Sequence, residues 1–305
     1  MIYSNLLRIA DHFKDEEICE AYLVKMRWKG NITCVYCNHD NVYSLQGKYK
    51  RFKCAKCRKQ FSSIKGSIFE NSPIPLRKWF MAMYLIATHK KGVSSVQLGS
   101  SIGVQQSTAW FMAHRIRFAL KNKSFEKMLG VIQVDETYIG GDSKNKHKDK
   151  RVEGSQGRSL KDKVPVLGVL HTGGHLHLEV MSDASSASIH PVIESKVSKG
   201  SIIVSDEWRG YNKLTKDFSH VVIKHKEDEY VRGGFHNNGI EGVFGLLKRA
   251  IVGIFHWISD KHLQRYCDEF EQRYNNRYVP NEIRFDRSFN GINCRLTYKE
   301  LIGKK

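Results

Sequence analysis

Apolar positions recur at two spacings along this chain, and the switch between them divides it. In residues 4–28, Ile18, Tyr22 and Met26 return to one face at helical spacing behind Asp15, a capping residue type, so this stretch reads as helix. Residues 76–88 carry Trp79, Phe80, Met83, Tyr84 and Ile86, apolar around much of the circumference, as in a buried helix. Residues 93–101 and 106–120 predict two more helices about Ile102-Gly103-Val104, the second with Trp110, Ala113, Ile116 and Leu120 in line. From Val131 the period becomes two. Val131, Gln133 and Asp135 alternate with Ile132 and Val134, and Gly140-Gly141 ends the strand. Residues 164–170 and 175–181 predict a hairpin across Thr172-Gly173-Gly174. Its histidines, His171, His175 and His177, alternate as one exposed face would. A helix over 189–197 leads to Ile202-Ile203-Val204, a continuous apolar run typical of a strand covered on both faces. A strand at 221–223 and a helix over 239–252, with Ile240, Val243, Phe244, Leu247 and Ile251 inward, follow. An amphipathic helix over 261–278 comes next. Strands alternating with helices make the second half α/β.

Charge narrows the partners. The chain of 305 residues carries a formal charge of +19, which calls for a polyanion, nucleic acid first. No apolar run approaches the ~20 residues that span a bilayer, and residues 1–13 lack the parts of a signal peptide, so a cytoplasmic, nucleoid-associated protein with no membrane partner is expected. Four of the seven cysteines form two Cys-x-x-Cys pairs, Cys34/Cys37 and Cys54/Cys57, separated by strand-like residues. Two such knuckles place four thiolates around one zinc ion, and a site closed by four cysteines is structural.

Seven basic residues lie between Cys37 and Lys65, and Lys50, Arg51, Lys53, Arg58 and Lys59 among them are candidate phosphate contacts. The interleaved Tyr49, Phe52 and Phe61 read as the ribbon's own small core. Beyond Pro73 and Pro75, the helix, glycine turn and second helix follow the helix-turn-helix pattern. In that geometry Gln105, Gln106, Ser107 and Thr108 reach base edges, with Arg115 and Arg117 nearer the phosphates. Residues 142–163 hold eight Lys or Arg and four Asp or Glu, a charged loop either solvated or laid on DNA.

Three carboxylates carry the chemistry. Asp135 interrupts the first strand, Asp206 stands just past the apolar run at 202–204, where ligands collect in α/β sheets, and Glu241 lies in the first turn of the helix that follows. Asn238-x-x-Glu241 also fits a helix cap. Lys248 lies seven residues after Glu241, about two turns, on the same face. Glu136 points away from Asp135 on an extended strand and is left out.

The blocks 131–141, Asp206-Glu207-Trp208-Arg209-Gly210-Tyr211, His236-Asn237-Asn238-Gly239-Ile240-Glu241-Gly242, Leu246-Leu247-Lys248-Arg249, residues 262–270 and Arg273-Tyr274-Asn275-Asn276-Arg277 resemble the bacterial insertion-sequence transposases of the Merlin-related group. The similarity covers essentially the whole chain; Val35 departs from the proline frequent in the first knuckle. It implies a ribonuclease H-like catalytic domain, a mixed sheet flanked by helices, with Asp135, Asp206 and Glu241 as an Asp-Asp-Glu triad and Lys248 as the downstream lysine. Relatives with asparagine in the third place keep Asn238 in view. Two magnesium or manganese ions per active site and one zinc are then expected. Lys248 and Arg249 join the DNA contacts.

The expected layout is helices and zinc ribbon over 1–65, helix-turn-helix over 75–122, catalytic domain over 129–280 and a tail over 281–305. The expected activity is transposition: binding of terminal inverted repeats, cleavage, and joining to target DNA, by at least a dimer. An inert DNA-binding regulator and a nuclease that cleaves without joining are the rival readings.

Overall fold

The computed structural model describes residues 3–47, 50–121, 126–140, 147–150, 162–212, 214 and 217–303, and the chain divides into two compact units. The first comprises residues 1–122 and 276–305, the second 123–275. Lys48, Tyr49, Gly141 and most of the charged loop 142–163 lie outside the described residues.

In the first unit, α1 (Leu6–His12) and α2 (Glu16–Trp28) lead into a three-stranded antiparallel sheet of β1 (Val42–Leu45), β2 (Arg51–Cys54) and β3 (Gln60–Ser62). The helix expected over 4–28 breaks in two at residues 13–15, where Asp15 becomes the N-cap of α2. Helices α3 (Leu76–Thr88), α4 (Ser95–Ile102) and α5 (Gln106–Leu120) follow. Gly103, at φ +66°, ends α4 in the left-handed region and reverses the chain into α5 within three residues. Residues 281–303, expected as part of a tail, are packed structure. They form α9 (Asn281–Arg287) and α10 (Tyr298–Ile302), after α6 to α8 of the other unit, and Phe285 and Phe289 are buried with Phe13, Phe80 and Trp79. Burying these rings supplies the hydrophobic term that holds both ends of the chain in one unit.

The second unit is built on a five-stranded sheet, order β6-β5-β4-β7-β8. Its strands are β4 (Val131–Gly140), β5 (Lys163–His171), β6 (Leu176–Val180), β7 (Ile202–Ser205) and β8 (Ser219–Val222). The pairs β4–β5 and β5–β6 are antiparallel, whereas β4–β7 and β7–β8 are parallel, which is the mixed ribonuclease H-like sheet. Helix α6 (Ser186–Lys196) contributes to a core on one side, with Ile132, Val134 and Ile203. Helices α7 (Asn238–Ala250) and α8 (Asp260–Asn275) contribute to another, with Val166, Leu170 and Leu178. Side chains of α8 also satisfy the backbone of β6: Val180 N donates to Gln264 (2.8 Å) and Leu176 N to Asn275 (2.8 Å). An edge strand is thereby closed to further pairing. His177 belongs to this seam rather than to an exposed face. It is buried, 3.0 Å from Glu271 and 3.1 Å from Glu179.

Candidate active site and metal centres

The ribbon cysteines converge as their spacing predicts. All four sulfurs lie within 4.8 Å of one another, with Cys34–Cys57 and Cys37–Cys54 both at 3.6 Å. Sulfurs ~2.3 Å from a central ion at tetrahedral corners stand about 3.8 Å apart, so the set fits zinc. The two knuckles repeat one another. Asn38 N donates to Cys34 O and Arg58 N to Cys54 O, with φ +55° at Asn38 and +61° at Arg58. Beneath them Phe52, Phe61 and Trp28 pack ring against ring, the structural role expected of Phe52 and Phe61. Around the ribbon, Lys50, Arg51, Arg58 and Lys59 are exposed and Lys53 is half-buried.

At the start of α5, Gln105, Gln106 and Ser107 are exposed and Thr108 is half-buried. Arg115 and Arg117 are different. They are only 4% and 2% exposed, and Arg115 donates to Glu70 O (2.7 Å) with its guanidinium near the Trp79 and Phe111 rings. The expectation that these two arginines meet phosphates therefore fails. Helix α5 is packed on more than one side, and an arginine can fill such a position when its fork finds a carbonyl and aromatic faces.

The acidic site forms where parallel pairing ends. Strands β4 and β7 are in register through Gln133↔Val204, so Asp135 and Asp206 both stand two residues past the last pair. Opposite Asp135 on β5 is Gly168, where an added Cβ would come within 2.6 Å of Ile240 and 2.8 Å of Phe244. The missing side chain lets α7 close on the sheet beside Asp135. Two buried amides then fix the start of α7. Gln133 accepts from Ile240 N (2.9 Å), and Asn237, its amide nitrogen turned toward Val204 O (3.1 Å), accepts from Asp206 N (3.2 Å). Asn237, not Asn238, is thus the N-cap residue. Its side chain serves the end of β7 instead of capping the helix.

This arrangement carries Glu241 toward the aspartates, close enough for its charge to act on Asp135, though it lies outside the tightest cluster. That cluster is Asp135, Asp206 and Glu136, with one carboxylate oxygen of each within 4.8 Å of the others. Glu136, set aside by strand alternation, therefore belongs to the site. Alternation separates side chains across a paired sheet, but β7 has ended here, and carboxylates from both faces of β4 can meet around the unpaired edge. Glu136 is held by the buried Tyr211, whose hydroxyl donates to it at 2.7 Å. Burial and the adjoining acids push the Tyr211 phenol well above its usual range, so it stays a donor. Asp135 accepts from Glu136 N (2.8 Å) and Asp206 from Trp208 N (3.0 Å). Burial first, then the charges of Glu136 and Asp206, push Asp135 up to about 8. Hard oxygen donors that burden one another with negative charge are the donor set a divalent cation satisfies.

With acids midway along β4 and just past the end of β7, and a four-cysteine ribbon ahead of them, the comparisons with known proteins agree. Residues 127–275 match the ISXO2-like transposase domain, and residues 14–60 match the transposase zinc-ribbon domain. The chain belongs to the ISXO2-like transposase family. It is 26% identical over 272 residues to a protein of the transposable element ISH50 in Halobacterium salinarum, covering 86% of this chain and 91% of that one. It is 31% identical over 105 residues to a transposase-like protein of Haemophilus influenzae, covering 34% of this chain and 84% of the relative. In this transposase the matched domain runs from just before β4 to the end of α8, so it contains all four acids and Lys248. Lys248 and Arg249 are exposed near the end of α7. No single helix among the described residues is long and apolar enough to cross a membrane.

Proposed function

We propose that this transposase binds the terminal inverted repeats of its element, cleaves the DNA at their ends and joins those ends to target DNA. The observation that carries the reading is the meeting of Asp135 and Asp206 past the last β4–β7 pair, with Glu241 brought toward them by the Gln133 and Asn237 tethers. Asp135, Asp206 and Glu241 are the residues to hold magnesium or manganese, and Glu136 is close enough to share the load. Bound there, such ions supply Lewis-acid stabilisation of an attacking water or 3′-hydroxyl oxygen and of the leaving oxygen.

The chain's own groups do the rest. Tyr211 keeps Glu136 in place, and backbone N–H groups of Glu136 and Trp208 orient one oxygen of each aspartate. Lys248, about two turns along α7 from Glu241, is positioned for a phosphate of the DNA that flanks the cleavage point. In the first unit, Gln105, Gln106, Ser107 and Thr108 open the second helix of a helix-turn-helix and read base edges, and the ribbon cations Lys50, Arg51, Lys53, Arg58 and Lys59 neutralise phosphates. Two ends must be handled together, so a homodimer or larger assembly on DNA is part of the proposal.

The test is purified protein with labelled element ends and manganese. Joined products support transposition, whereas hydrolysis alone leaves a nuclease. Asp206→Asn should lower both by more than the ~10–100-fold that losing an outer partner of a metal ligand costs. Unchanged activity in that variant rejects the site.

A further inference from the structure

The backbone beyond α7 departs from regular helix in two consecutive ways. Residues Ile251–Phe255 form a π-helical turn, a rare feature that is frequent at functional sites. His256 follows at φ +60° and ψ −48°, with Trp257 N donating to Phe255 O at 2.7 Å. That is the rarer, positive-φ γ-turn, strained for any residue with a side chain. His256 Nδ1 lies 3.1 Å from Val252 O, tying its ring back onto the π turn. The product of this conformation is Trp257, 72% exposed. A strained turn that holds a tryptophan out in water points to a partner for the ring.

Trp257 lines a cleft of about 420 Å³ together with Tyr138 and Ile139 of β4, Lys163 of β5, Lys248 of α7 and His256. The volume is within the ~300–1,000 Å³ of small-ligand sites. Two lysines and an exposed tryptophan in one lining are the residue types that take nucleotides, the cations for phosphate and the ring for a base. The cleft also has a fixed relation to the acids. Tyr138 is three residues along β4 from Asp135, roughly 10 Å, and Lys248 is seven along α7 from Glu241, also roughly 10 Å. Stacked DNA advances ~3.4 Å per nucleotide, so the cleft lies about three nucleotides from a phosphate held at the acids.

We propose that this cleft receives an unstacked nucleobase of the cleaved strand, about three nucleotides from the cleavage point, with Trp257 stacking on it and Lys248 and Lys163 facing its phosphates. The assignment of the strand rests on the phosphoryl-transfer reading above. The binding itself does not, and base stacking tolerates any sequence, so the test needs no knowledge of the repeats. The full-length protein, with zinc retained and no magnesium added, is titrated by fluorescence anisotropy into three labelled probes: a blunt duplex, the same duplex with a single-stranded extension, and one whose extension is abasic. Trp257→Ala should weaken binding of the extended duplex by about 5- to 150-fold, the range for loss of one base–aromatic stack, and leave the other two probes unchanged. Trp257→Phe should recover most of the loss. Equal weakening on all three probes, or none on any, overturns the proposal. If Asp206→Asn cuts DNA like the parent while the Trp257 pattern holds, the catalytic reading fails and the base site survives.

Discussion

Replacing Asp135 by asparagine should make the protein more stable while removing its activity. The Asp135 carboxyl is pushed up from 3.8 to about 8 in the folded chain by burial and the charges of Glu136 and Asp206. A group whose folded pKa lies above its unfolded value holds a proton in the native state that the unfolded chain has released, so stability falls as pH rises between the two values. From pH 5 to pH 8 that is about three units at ~1.4 kcal/mol each, a ceiling of about 4 kcal/mol. Solvent at the half-buried mouth of the site screens part of it, leaving about 2 kcal/mol. The substituted amide would still accept from Glu136 N through its carbonyl oxygen but carries no charge to desolvate. For a unit of this size about 2 kcal/mol corresponds to roughly 4–8 °C in Tm. The assay is thermal unfolding of parent and Asp135→Asn at pH 5 and pH 8 in buffer without added magnesium. Chelators are avoided because they would strip the ribbon. The variant should gain several degrees over the parent at pH 8 and little at pH 5, and magnesium should raise the parent alone. A gain independent of pH, or none, would refute the claim that charge crowding costs the site stability.

Two other substitutions test the frame around the site. Gly168→Ala places a methyl group 2.6 Å from Ile240 and 2.8 Å from Phe244, so α7 must shift; the expected cost is about 1–3 kcal/mol by thermal unfolding, with loss of cleavage as Glu241 moves, and a stable, active variant would contradict the packing. Cys34→Ser should reduce zinc toward none per chain and open residues 31–62 to protease while the second unit keeps its own transition; retained stoichiometric zinc would show that the four thiolates do not share an ion.

The regular parts of this fold are legible in the sequence because their signals are local. The alternation from Val131 onward, the apolar run at 202–204 and the inward face of α7 each depend on neighbours within a few positions, and β4, β7 and α7 appear where those patterns lie. The cysteine pairs are as readable, since thiolates at that spacing have few other uses. What escapes depends on distant partners or on the end of a pattern. Glu136 is misplaced by strand alternation, which carries no information about where a neighbouring strand stops. Arg115 and Arg117 look solvent-facing because charge marks surface on average, yet the carbonyl of Glu70 and the rings of Trp79 and Phe111 give Arg115 a buried seat. No periodicity assigns Phe285 and Phe289 to the N-terminal core, some two hundred residues from Phe80. Trp257 is prominent only through backbone geometry, which apolar patterning does not encode.

The tethers of α7 follow a chemical logic that the charges alone would not suggest. Glu241 has to approach two aspartates and Glu136, and a lysine or arginine between them would draw it in and relieve the crowding at Asp135. The groups that fix the start of α7 are instead the amides of Gln133 and Asn237, which bond to backbone N–H and C=O and add no charge between Glu241 and the aspartates; His225 Nε2 stands 3.7 Å from Glu241. A cationic tether would lower Asp135 and occupy the place a divalent ion needs, whereas a neutral one holds the geometry and keeps the field. Gly168 does the same by subtraction, bringing the helix close without adding a group to the site. The strain in this domain is therefore electrostatic at the acids and conformational at His256: the first sits at the proposed metal site, and the second holds Trp257 at the proposed base site.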